Sequence, residues 1–311
     1  MYYPTINQKM NLTDKILMVR PNTFRSNEQT MINNYFQKGN SKNDDKDILT
    51  KALKEFDDLT SVISKNNIEI TVVEGSKLYD NPDEIFPNNW IVFDNDKIGI
   101  FPMNALNRRT EINYDLINSI NKKNNYKMFD YSNYAEKNIF LEGTGSVVLD
   151  RAYKKAYCVL SDRSSKNLFL KFCMDFDYKP IMFHAYHNVN KKRELIYHTN
   201  VMMSIGANNC FICLDSIDDV KERKNVKANI ENDNNLIELS ESQINKFAGN
   251  VIFLKSTEGI TQIVMSKRAY SSLSKSQIRE IEKVGNIIYS PIPTIEKHSG
   301  GSVRCMIAEI F

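Results

Sequence analysis

The sequence predicts an α/β fold built from five copies of one unit, and three observations carry that prediction. First, apolar strand-like runs recur at near-constant intervals. ITVVEG (70–75), KMFDYS (127–132), PIMFHA (180–185), NLIELS (235–240) and NIIYSP (286–291) start 57, 53, 55 and 51 residues apart. Second, each is followed by a loop and a further strand: WIVFD (90–94), SVVLD (146–150), NVMMSI (200–205), NVIFL (250–254) and CMIAEI (305–310). Third, helical stretches lie between these pairs. Self-similarity at a period near fifty residues marks a repeat architecture. Units of this kind close into a ring with their loops converging on the axis, as propeller blades do.

Each element has a local reason. In four units a turn rich in Asp, Asn, Gly or Lys leads from the second strand into a third, IGIFPM, AYCVLS, CFICLD or TQIVMS, which is a hairpin signature. The fifth hairpin is cut off by the end of the chain, and ILMVRP (16–21) supplies the missing strand. The clearest helix is 47–63, with Leu49, Leu53, Phe56, Leu59 and Ile63 spaced by three and four. Others are expected at 108–120, 167–176, 218–230 and 274–284, the last closed by Gly285. GNSKNDDKD (39–47) reads as a surface insertion. No linker interrupts the pattern, so one domain over 1–311 is expected.

Composition narrows the function classes. The chain has 311 residues, 41% of them hydrophobic and 25% charged, with a net charge of +3 spread along its length. The lack of a basic stripe argues against nucleic acid as a partner. No apolar stretch of membrane-spanning length and no signal-peptide core argue for a cytoplasmic protein with no membrane contact. Five scattered cysteines, at 158, 173, 210, 213 and 305, fit a reducing compartment. Self-association is left open.

The reactive residues fall in register on the repeat. FPNN (86–89), LEGTG (141–145), YHTN (197–200), FAGN (247–250) and GGSVR (300–304) each stand immediately before a hairpin. Glu142, His198 and Cys305 therefore come from three units and face one centre if the units form a ring. A thiol in an apolar strand is ordinarily structural. The shared register points instead to an activated nucleophile: imidazole to ionise the thiol and shuttle a proton, carboxylate to orient the imidazole or hold substrate. Gly300 and Gly301 allow close approach of substrate and offer N–H donors to an oxyanion.

These motifs in combination, with MVRPNTF near the start, resemble the guanidino-group-modifying enzymes of the pentein superfamily, closest to its citrulline-utilisation hydrolases. The resemblance spans nearly the whole chain. It implies a five-bladed α/β propeller with Cys305 as nucleophile, His198 as general acid/base and Glu142 as acidic partner. It implies no metal and no organic cofactor. Deiminases of the superfamily carry aspartates at the positions of Asn89 and Asn200 to grip a guanidinium. Two neutral amides suit a ureido group instead, since Asn offers both donor and acceptor. Dihydrolases of the superfamily share Asn in the pocket and release amine, CO2 and ammonia. The expected substrate is thus a small ureido or guanidino amino acid, citrulline or arginine, hydrolysed through a covalent thio-intermediate. Asn89, Asn200, Asn88 and Gly301 are expected to bind it, and Arg108, Arg109, Arg20 or Arg304 to hold its carboxylate.

Alternatives are a deiminase or dimethylargininase, an amidinotransferase, and a non-catalytic pentein, against which the Cys–His–Glu set argues. His184 and His187 point to opposite faces of a strand and do not make a metal site with His198. Cys210 and Cys213 have CxxC spacing but sit in a strand, without a second such pair.

Overall fold

The structure is a computed structural model and describes residues 11–37 and 45–311. Its strands are β1 (Lys15–Arg20), β2 (Glu69–Glu74), β3 (Ile91–Asp94), β4 (Lys97–Ile100), β5 (Lys127–Asp130), β6 (Val147–Asp150), β7 (Lys155–Val159) and β8 (Lys179–Phe183). They continue with β9 (Tyr186–Val189), β10 (Lys192–Leu195), β11 (Met203–Gly206), β12 (Asn209–Ile212), β13 (Asn235–Glu238), β14 (Ile252–Lys255), β15 (Thr261–Ser266), β16 (Asn286–Ser290) and β17 (Ala308–Ile310). Five three-stranded sheets share one topology. In β3–β4–β5, β6–β7–β8, β11–β12–β13 and β14–β15–β16 an antiparallel hairpin is joined in parallel by the strand that follows the helical connection. The fifth sheet draws on both ends of the chain. β17 runs antiparallel to β1 with Leu17 opposite Ala308, and β1 runs parallel to β2 with Leu17 opposite Thr71.

Turn chemistry sets these hairpins. Asp94 pairs with Lys97 across Asn95 and Asp96, and Asn95 takes the left-handed conformation (φ 52°) that its side chain tolerates. Ala207 and Asn208 both have positive φ, as a two-residue turn matching the strand twist requires. Burial grades across each sheet. β3 and β6 are buried along their whole length, whereas β2 and β5 are largely exposed. β17 packs against β3, β6 against β11, and β11 against β14. No strand pairing among the described residues joins one of the five sheets to the next.

Several expectations shift. The first helix runs Asp45–Lys65 and buries Ile48, Ala52, Phe56, Leu59 and Ile63, so its inward stripe lies one residue earlier than expected at Leu49 and Leu53. Of the 39–47 insertion, 39–44 fall outside the described residues and Asp45–Asp47 begin this helix. The stretch 108–120 divides into a 3-10 turn, Leu106–Glu111, and an α-helix, Tyr114–Asn124. The break is Asn113, whose side chain caps the Leu116 N–H. A hairpin the repeat did not foretell, β9–β10, is inserted after β8.

The strands entering the hairpins begin later than expected, and this places the loops that carry the candidate residues. Tight turns precede four of them: Pro87–Asn89, Gly143–Ser146, Thr199–Val201 and Val303–Met306. Cys305 therefore lies in a 3-10 turn and not in a strand. Glu142 and His198 occupy the cap position of their turns. Among the described residues no helix is long and apolar enough to cross a membrane.

Candidate active site

The turns bring Cys305, His198, Asn89, Arg108 and Gly301 to one buried cavity, which Thr30, Asn34, Asp83, Phe86, Arg163, Tyr197 and Ser299 complete. Its volume is about 20 Å³, room for roughly one water. A far larger cavity, about 830 Å³, lies beside Phe36, His187 and Phe247. It contains no thiol and none of Glu142, His198, Cys305, Asn89 or Asn200, whereas the small cavity holds the thiol and the imidazole together.

Glu142 is fully buried and spends both oxygens. Oε1 accepts from the Asn104 N–H at 2.9 Å, and Oε2 lies 2.8 Å from His198 Nε2 and 3.6 Å from Arg163 Nη1. Burial by itself raises this carboxyl. The Arg163 charge and the hydrogen bond with His198 outweigh it and hold Glu142 well below the usual carboxylate range. For His198 the balance goes the other way. Burial outweighs the pull of Glu142 and lowers the imidazole to about 4, which leaves it neutral at pH 7. Burial also raises the Cys305 thiol, against the Ser302 backbone and the Asn250 side chain. The free site thus holds a neutral imidazole and a thiol. The expectation that the imidazole ionises the thiol meets two obstacles in the free site, since Nε2 is spent on Glu142 and desolvation disfavours the imidazolium.

The polar contacts of Cys305 Sγ come from amides. Asn250 Nδ2 is 3.2 Å away and Asn200 Nδ2 3.5 Å. Asn89 is oriented by Arg108, whose Nη1 donates to Asn89 Oδ1 at 2.8 Å, while Asn89 Nδ2 is buried without a partner. A Cβ built on Gly145 would lie 2.3 Å from that Nδ2 and 2.8 Å from the His198 ring, so the amide, the imidazole and this loop meet at one point. Gly301 must also be small, since a Cβ there would reach 2.8 Å from the Phe86 ring.

Other expectations do not survive the geometry. The Gly300 N–H donates to Glu296 O and the Gly301 N–H to Ser299 Oγ, so neither is free for an oxyanion. Asn88 is buried with both side-chain polar atoms unpaired, yet it does not line the cavity. Arg108 lines it but is locked by a bidentate pair with Glu111, at 2.8 Å on each arm. Arg109 is bonded to the Met103 and Asn104 carbonyls, outside the cavity. Arg20 pairs with Asp57 on the surface, and Arg304 bonds Ile307 O and Glu309. His184 is bonded to Glu222 at the surface while His187 is buried; Cys210 is buried near the start of β12 and Cys213 just after its end. Among the described residues no group of three or more His, Cys, Asp or Glu is placed to hold a metal ion.

Among the site residues not singled out from the sequence, Asn250, Asp83 and Arg163 bear most on its chemistry. Asn250 shares the pre-hairpin register, and that signal could have found it. Asp83 lines the cavity with Oδ2 bonded to Asn27 and Thr30 and Oδ1 buried without a partner, and Arg163 stacks on Tyr197 beside Glu142. Both lie outside the register, so the repeat gave no pointer to them.

Comparison with known proteins follows the same lines. Residues 20–311 match the family described as N,N dimethylarginine dimethylhydrolase, eukaryotic. No curated protein sequence matches the chain. The N-terminal domain of ArgZ, an arginine dihydrolase from the ornithine–ammonia cycle in cyanobacteria, was solved as a cysteine-to-serine mutant bound to substrate. It aligns with TM-score 0.73 at 15% identity, covering 95% of this chain and 97% of that one. AgrE, in ternary complex with ornithine and NAD+, aligns with TM-score 0.73 at 16% identity over 96% of this chain and 39% of its own. A dimethylarginine dimethylaminohydrolase carrying a chloropyridine adduct aligns with TM-score 0.62 at 15% identity, over 96% and 99%. At such identities the solved structures share the fold. The family match over nearly all of the sequence shows that the chain belongs to the eukaryotic N,N-dimethylarginine dimethylhydrolase family, a group of hydrolases within the guanidino-modifying pentein superfamily.

Proposed function

We propose that this chain is a single catalytic domain, its five sheets arranged as the blades of a propeller, that hydrolyses a ureido or guanidino amino acid at Cys305. Citrulline, as in the citrulline-utilisation hydrolases, is the substrate the pocket suits best. The observation that carries the reading is the neutral amide Asn89, held by Arg108 so that its free N–H group faces the imidazole. An N–H donor complements a carbonyl oxygen and the oxyanion that develops from it.

In this reading the Cys305 thiol passes its proton to His198 as the sulfur attacks the ureido carbon and forms a C–S bond, and the oxygen takes up the charge beside Asn89. The C–N bond to the amine then breaks, with His198 delivering a proton to the departing nitrogen. Water, losing a proton to His198, cleaves the C–S bond and restores the thiol. The released carbamate falls to CO2 and ammonia. Glu142 keeps His198 in place and stabilises the imidazolium whenever it forms. Since Arg108 and Arg163 are already engaged, we assign recognition of the α-ammonium to the free Oδ1 of Asp83.

That same oxygen favours a second reading, in which Asp83 faces a guanidinium and the substrate is arginine or a methylated arginine. An amidinotransferase differs only in the acceptor that replaces water. Pure protein incubated with citrulline, arginine, dimethylarginine or agmatine, with ornithine, citrulline and ammonia quantified, decides among these. Ornithine and ammonia from citrulline support the first reading, and turnover of dimethylarginine alone overturns it. Cys305→Ser is expected to abolish turnover while leaving the thermal midpoint nearly unchanged. Wild-type turnover by that variant would rule out the thiol as nucleophile.

A further inference from the structure

The surroundings of the sulfur single out a residue beyond the Cys–His–Glu set. Asn250 is fully buried at the end of the loop that enters β14. Its carboxamide has one available orientation. Oδ1 accepts from the Arg304 N–H at 3.0 Å, while the two N–H bonds of Nδ2 serve the Asn200 carbonyl at 2.9 Å and Cys305 Sγ at 3.2 Å. Asn200 Nδ2 adds a second amide donor at 3.5 Å. The loop is pinned, because a Cβ on Gly249 would lie 2.6–2.8 Å from the backbone of Val201 and Met202. His198, by contrast, spends Nε2 on Glu142.

We propose that Asn250 is a catalytic residue: with Asn200 it forms a cradle of amide donors that binds the Cys305 thiolate and stabilises it for attack and again on departure. The proposal rests on reading Cys305 as the nucleophile. Hydrogen bonds to a charged acceptor are about twice as strong as neutral ones, and in a desolvated site they are the available substitute for water. On ionisation the S–H electron pair stays on sulfur; the proton passes to His198 during turnover and to solvent in a titration without substrate. The charged and titratable groups facing the sulfur are Arg304 on its own turn, Tyr197 across from it, and His198, Asp83, Arg108 and Arg163 around the cavity. Each is engaged elsewhere or shared with substrate, whereas one N–H of the Asn250 amide, oriented by the amide's other two bonds, is committed to the sulfur.

The test is an ultraviolet titration of thiolate absorbance, read as the difference between each protein and its own Cys305→Ser counterpart, for wild type, Asn250→Ala and Asn250→Asp. Losing one donor is expected to raise the thiol by about one pKa unit, a tenfold smaller thiolate fraction below the midpoint. Asn250→Asp is expected to raise it further. It keeps the acceptor for Arg304, and hence the local fold, while placing a carboxylate beside the sulfur. This second variant carries the test if the alanine protein does not fold. A role confined to packing would lower the melting temperature without moving the titration, and an unmoved thiol in a folded variant overturns the proposal. The titration needs no substrate, and turnover by Cys305→Ser reports separately on the nucleophile, so the two readings fail distinguishably.

Discussion

At the scale of single residues, the informative feature is how the amides are oriented. Arg108 and Glu111 hold Asn89 Oδ1 from behind, so an aspartate at this position would keep the arginine contact and turn a second carboxylate oxygen toward the substrate. Asn89→Asp is expected to slow ureido hydrolysis by about tenfold, roughly 1.4 kcal/mol of transition-state stabilisation, because the new oxygen cannot donate to a developing oxyanion and repels it. A guanidinium gains a charge pair from the same change, so arginine binding should strengthen and its product should stop at citrulline. Adding Asn200→Asp should deepen both effects. Ornithine and citrulline measured side by side decide the matter, and unaffected citrulline hydrolysis would remove the amide argument. Glu142, His198 and Cys305 stood out because the repeat places them in one register before the hairpins, and Asn89 and Asn200 because the resemblance to the deiminases drew attention to their positions. Asp83 and Arg163 were not, because they reach the cavity from outside that register. The free N–H groups at Gly300 and Gly301 were misread because their partners, Glu296 O and Ser299 Oγ, depend on the local helix end.

At the scale of elements, that helix end has its own consequence. Gly300 caps the helix Pro293–Ser299 with φ 67°, and its N–H closes onto Glu296 O. A Cβ there would meet Asn34 Oδ1 at 2.6 Å and Gln37 N at 2.7 Å. Asn34 in turn donates to Ser299 O and lines the cavity, so the cap joins the Asn27–Gln37 stretch to the loop carrying Cys305. Gly300→Ala is expected to cost at least about 1–2 kcal/mol from the left-handed backbone alone. It should also lower turnover through displacement of Asn34, with a denaturation curve and a steady-state assay reading the two effects. Unchanged stability would mean that the cap relaxes freely. Element by element, the strands were legible from apolar runs bounded by turn residues. Their starts were not, because a 3-10 turn and a strand draw on the same apolar letters: Val201 of NVMMSI and both Cys305 and Met306 of CMIAEI belong to 3-10 turns, and the strands begin only at Met203 and Ala308. The β9–β10 hairpin escaped notice because it occurs in one repeat only, and comparison between repeats is blind to an insertion.

At the scale of the whole molecule, the pairing of β1 with β17 shows how far a repeat can be read. Four complete units and one lacking a strand left a single role for ILMVRP, and the structure gives it that role. Arg151 and Arg304 both bond Glu309 on β17, which ties the last strand to its surroundings by buried charges. Buried charge also makes global stability depend on pH. The folded His198 is lowered to about 4, whereas an unfolded histidine sits at its ordinary value near 6.5. Between those values the unfolded chain binds a proton that the folded protein does not, so stability falls as pH falls through this window. The stability that the neutral folded imidazole contributes is lost as pH falls through that window. Glu142 acts in the same sense at lower pH. Its folded carboxyl is depressed, so the stability it contributes is present above the ordinary carboxylate value and is lost as pH falls below it. Chemical denaturation from neutral pH downward should therefore show a decline beginning near pH 6.5, before surface carboxylates titrate. His198→Gln should make that first segment shallower, leaving the smaller share of His187, which burial also lowers, and the acid limb below it. A wild-type curve that stays level down to the carboxylate range would mean that His198 titrates normally in the folded protein, and the neutral imidazole assigned to the free site would have to be abandoned.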